Sequence, residues 1–104
     1  MVSDLTQPDD SFEGTSIVVT ARREGGRIRL RLVLGASRTP DAGELRAITT
    51  VATMLEAGVR VALCIDEIPG GFPAETFAKE CEALRLRAFE AYEKTEEGKE
   101  AVRG

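Results

Sequence analysis

A chain of 104 residues with 42% apolar content can enclose one compact core and no more, so a single domain is expected. Trp is absent and aromatics make up 5%, which leaves a core of Leu, Val, Ile and Ala with Phe77, Phe89 and Tyr92 as the large members. There is no His, and two cysteines cannot supply four ligands, which excludes the common zinc sites and any His-based triad; no cofactor or metal is expected.

The longest apolar runs, such as Val59 to Ile65, stop well short of the roughly 20 residues a bilayer span needs, and no basic-then-apolar leader opens the chain. A cytoplasmic chain with no membrane partner and reduced Cys64 and Cys81 is the expectation. The net charge of −4 is unevenly spread. Residues 1–14 carry Asp4, Asp9, Asp10 and Glu13 with no base, and residues 15–40 carry six Arg against Glu24 alone.

Residues 1–14 show no apolar period and read as a flexible acidic lead-in that could fold over the basic segment behind it. The β-branched cluster Ile17, Val18, Val19, Thr20 predicts a first strand over 15–23. Gly25 and Gly26 then supply a tight turn. From Arg27 to Leu34 basic and apolar residues alternate, Arg27, Arg29 and Arg31 to one side, Ile28, Leu30, Leu32 and Leu34 to the other. Thr39 as N-cap and Pro40 at the first helical position predict a helix in which Leu45, Ile48, Ala52 and Leu55 share a face and which Gly58 stops.

Val59 to Ile65, rich in β-branched and aliphatic residues on both faces, reads as a third, inner strand containing Cys64. A loop from Asp66 to Phe72 leads to a second helix from Pro73, with a buried stripe of Phe77, Cys81, Leu84, Ala88 and Tyr92 widened by Ala78, Leu86 and Phe89. Past Thr95 the apolar period fades, so 96–104 reads as a frayed helix end or tail and 15–95 as the folded domain. The expected architecture is α/β, a two-layer ββαβα domain in which a three-stranded mixed sheet carries both helices on one face.

On this topology the open sheet face shows Arg22, Arg27, Arg29, Arg31 and Arg60. Arginine's planar fork suits phosphate and carboxylate, so an acidic protein segment or nucleic acid fits this face; so does plain solvation that discourages edge pairing. The acidic pI of about 4.9 and the absence of stacking rings on the face weigh against nucleic acid. The outer side of the first helix, with Thr49, Thr50, Thr53 and Met54, is poor in charge and is a candidate interface for a partner or a second subunit. Gly70 and Gly71, between a strand and a helix start, form a candidate anion loop, although Phe72, Pro73 and Ala74 stand where a phosphate loop has Lys and Ser or Thr. Asp66 and Glu67 leave a strand on opposite faces and cannot converge as acid and base.

In element order, residues 16–92 resemble the start of a STAS-type anti-sigma antagonist domain: two strands, a helix after a Gly-containing connector, an aliphatic strand ending in Asp66, and a second helix. The family's Asp-Ser-Ser-Gly phosphorylation loop has no counterpart here, so the resemblance implies a fold and no activity. The expected function is a small non-catalytic interaction module, an accessory subunit or adaptor that self-associates or joins a complex. The alternatives are a nucleic-acid-associated protein using the arginine face and a phosphoryl or nucleotide enzyme at the 66–72 loop.

Overall fold

The computed structural model describes residues 13–103. The lead-in expected over 1–14 lies outside the described residues except for Glu13 and Gly14. The chain is an α+β fold: an antiparallel hairpin followed by two long helices packed together and a short third helix.

Strands β1 (Thr15–Glu24) and β2 (Arg27–Ala36) pair over their whole length, Thr15 opposite Ala36 and Glu24 opposite Arg27. The two-residue turn needs positive φ at both positions, and Gly25 (57°) and Gly26 (80°) supply it. This register puts Ile17, Val19 and Ala21 on one face with Leu34, Leu32 and Leu30, as the alternation predicts.

Helix α1 runs Ala42–Cys64. Its N-cap is Asp41, not Thr39: Asp41 Oδ1 accepts from the Glu44 amide at 2.8 Å, and Glu44 Oε1 accepts from the Asp41 amide at 3.0 Å. This reciprocal box satisfies two amides at once, which a lone Thr cap cannot do.

The expected third strand does not exist. Residues 59–64 continue α1, and the sheet has two strands, so the ββαβα architecture and its likeness in element order to a STAS-type domain are both overturned. The physical reason lies in spacing. Leu45, Ile48, Ala52, Leu55, Val59 and Ala62 alternate steps of three and four straight through Gly58, so one apolar face runs unbroken along the helix. A mid-helix glycine costs only about 1 kcal/mol, less than this face gains by packing.

Helix α2 (Ala74–Glu93) returns alongside α1 after the 65–73 connection. Ala74, Ala78, Cys81, Leu84, Ala88 and Tyr92 are buried; Leu86 and Phe89, expected to widen the stripe, are 48% and 44% exposed. Helix α3 (Glu96–Arg103) occupies the region expected to fray. Thr95 caps it, its Oγ1 accepting from the Gly98 amide at 3.0 Å while donating to the Tyr92 carbonyl at 2.6 Å.

The core is small: Leu32 from β2, Ala52 from α1, and Cys81 and Leu84 from α2 are its centre, with Ile17, Leu34, Leu55 and Phe77 packed around them. α1 lies beneath β1 and α2 beneath β2, giving two layers of two elements each.

Candidate functional site

Two exposed surfaces carry the unusual chemistry. The first is the sheet face turned away from the helices. Cross-strand register sets Arg22 opposite Arg29, Thr20 opposite Arg31 and Glu24 opposite Arg27. Like charges directly opposed on a strand pair repel. Glu24 relieves this: its Oε2 accepts from Arg22 Nε at 3.0 Å and its Oε1 from Arg29 Nη1 at 3.3 Å. The Arg22 hydrogen bond, then that of Arg29, holds the Glu24 carboxyl below its ordinary value of 4.5. Thr20, Arg22, Arg29 and Arg31 line a shallow depression of about 320 Å³. Among the described residues no acid pairs with Arg27 or Arg31.

Arg60, expected to complete this face, is not on the sheet. It sits on α1, where its Nε donates to Glu56 Oε2 at 3.1 Å, because residues 59–64 are helical. Glu56 also reaches Arg85 of α2 at 3.5 Å. Cys64, expected in a buried strand, is exposed at the end of α1 for the same reason; Cys81 is buried.

The second surface is the outside of α1. Thr49 is half-buried, and Thr50, Thr53 and Met54 are exposed. The three hydroxyls turn inward on their own helix, donating to the carbonyls of Leu45, Arg46 and Thr49 at 2.8, 2.9 and 2.9 Å. With the hydroxyls so occupied, methyl groups face out. Arg46, Thr49, Thr50, Phe89 and Tyr92 line a pocket of about 170 Å³ between α1 and α2 on this side.

Met54 belongs to a longer row. Ala47, Val51, Met54, Gly58, Val61 and Ile65 follow steps of four and three, the spacing of a helix seam, and none of them is buried. Val51 is 43% exposed, Met54 67%, Val61 58% and Ile65 61%. Reading 59–65 as a strand hid the lower half of this row; the signal was the same four-three spacing, carried through Gly58. α1 is long and apolar enough to cross a membrane by length and composition, with mean hydropathy 1.4 over 18 residues, of which 6% are buried. Glu56 and Arg60 interrupt this stretch, so no unbroken apolar run in the sequence signals it.

The candidate anion loop loses the setting that suggested it. Gly70 and Gly71 lie between two helices, not between a strand and a helix, and both are exposed. Gly71 has φ 86°, as a turn requires, and Pro73, which lacks an N–H, caps α2. Asp66, also at positive φ (56°), reverses the chain after α1. Among the described residues no cluster of three or more His, Cys, Asp or Glu could hold a metal ion.

Comparison with protein-family models, with curated proteins and with solved structures finds no match for this chain.

Proposed function

We propose that the chain is a small non-catalytic protein-interaction module, a subunit or adaptor, and that the outer row of α1 is its principal contact surface. One observation carries this: Val51, Met54, Val61 and Ile65 form a continuous apolar row left in solvent along a 23-residue helix. Apolar rows of this length on small domains mark interaction surfaces. The row, Ala47, Val51, Met54, Gly58, Val61 and Ile65, holds no charge and no polar side chain, so covering it costs little desolvation.

The test compares the wild-type chain with Met54→Lys and Val61→Lys, both exposed positions that tolerate charge without disturbing the core. Mass by light scattering and binding to other proteins are measured together. Loss of association in the variants is expected. A wild-type chain that binds nothing these substitutions remove overturns the proposal.

A second reading rests on Arg27 and Arg31, which point from the open sheet face without a described acid partner. With no aromatic ring among them, the arginines would hold phosphates rather than stack bases, giving sequence-independent, salt-sensitive nucleic-acid binding. Titration with a labelled single-stranded oligonucleotide at low and high salt decides it. An Arg31→Ala chain that binds as the wild type does, or no binding at low salt, rules it out.

A further inference from the structure

Resting on the α1 reading above, we infer that the partner is a second copy of this chain, joined through the free edge of β1. One two-fold axis would then build a four-stranded sheet in the order β2-β1-β1-β2 and set α1 against α1.

The two edges of the hairpin are treated differently. On β2 the Leu32 amide donates to Glu80 Oε1 at 2.9 Å, and the Leu32 carbonyl accepts from Arg87 Nη2 at 3.2 Å. Side chains of α2 thus close that edge. The same bonds show that Leu32 turns both backbone groups away from β1. Its partner Val19 therefore turns its own outward, as do Ile17 and Ala21 two positions to either side. No described group bonds to them. A strand of ten residues with an open edge is a template for pairing.

The side chains indicate the same flank. Leu32 is completely buried, yet Val19, opposite it on the same face, is 53% exposed. α1 meets β1 near its start, where Thr15 Oγ1 donates to Glu44 Oε1 at 3.3 Å. Around the helix, at about 100° per residue, Glu44 falls between the row facing α2 and the exposed row of Met54, so the exposed row lies on the β1 side and Thr49 and Thr53 lie away from it. The open strand edge, the uncovered Val19 and the apolar helix row all face one neighbour.

Charge selects an antiparallel second copy. Two β1 strands paired head to tail and centred on Val19 set Arg22 and Arg23 opposite Ser16 and Thr15, whereas parallel pairing stacks the arginines on themselves. Gly58, within the exposed row, allows the two α1 backbones a close approach.

The experiment measures light-scattering mass and amide hydrogen exchange over a range of concentrations, with disulfide trapping of Val19→Cys in a Cys64→Ser background. Expected are twice the 11.2 kDa chain mass, slowed exchange at Ile17, Val19 and Ala21 that deepens with concentration, and a covalent dimer through position 19 that Val33→Cys on β2 does not form. A dimer with unprotected β1 amides and no trapping at 19 overturns the edge pairing. A monomer that binds a different protein through Met54 overturns the self-association and leaves the module intact. A monomer indifferent to Met54→Lys, or one that leaves solution for phosphatidylcholine vesicles, overturns both.

Discussion

The Glu80 carboxylate accepts the Leu32 backbone amide at 2.9 Å, so a helix side chain substitutes for a missing strand along β2. Replacing it strands a buried donor. Glu80→Ala is expected to destabilise the fold by about 1–3 kcal/mol, and Glu80→Gln, which keeps an acceptor, by less. Urea unfolding of the two variants beside the wild type measures the difference; equal midpoints for all three would show that the edge needs no such closure.

Helix α1 should weaken in acid. The Arg38 hydrogen bond, followed by the Asp41 backbone amide, holds the Glu44 carboxyl below its ordinary 4.5. A lowered acid contributes stability that is complete above 4.5 and is lost as pH falls through the folded value. Glu44→Gln should therefore melt below the wild type at neutral pH, with the gap closing under pH 4.5. Thermal melts across that range followed by circular dichroism test it, and a constant gap would refute it.

The two thiols should differ sharply. Burial, with smaller contributions from Glu56 and Glu80, raises the Cys81 thiol above its ordinary 9.0, while Cys64 is exposed. A disulfide-exchange reagent should modify one thiol at once in native protein and the second only on unfolding. Because Cys81 keeps its proton better folded than unfolded, its contribution to stability falls as pH rises past 9.0. Two fast thiols in native protein would contradict the packing of α2.

Gly98 permits the docking of α3. A Cβ there would run into the Tyr92 carbonyl, backbone that cannot give way. Gly98→Ala should detach α3 and expose Tyr92, read as faster amide exchange after Thr95 with the hairpin unaffected. Unchanged exchange would show that α3 tolerates the methyl.

The hairpin was legible because its signals are local: alternation from Arg27 to Leu34, two turn glycines, and a β-branched run. Its two faces follow from that period alone. The segment 59–65 was misread because Val, Leu and Ile suit a buried strand and an apolar helix equally, and a glycine just ahead of it looked like a stop. What decides the matter is that half-buried Val59 and Ala62 carry the packed face of α1 on past Gly58, a tertiary fact that composition does not contain. Arg60 and Cys64 were carried to the wrong surface with the segment. The threonine strip was visible as a charge gap, whereas its extension to Val61 and Ile65 required the helix to be recognised first.

The centre of the core draws side chains from β2, α1 and α2 together. Neither the hairpin nor the helical pair can enclose an apolar interior alone, since removing Leu32 bares Ala52 and Leu84, and removing α2 leaves the sheet with nothing beneath β2. Folding is thereby made concerted: early hairpin formation, favoured by its short turn, gains little until chain from the distant C-terminal half arrives. Closure of that long loop sets the pace, and partly folded forms have no resting place in which to accumulate.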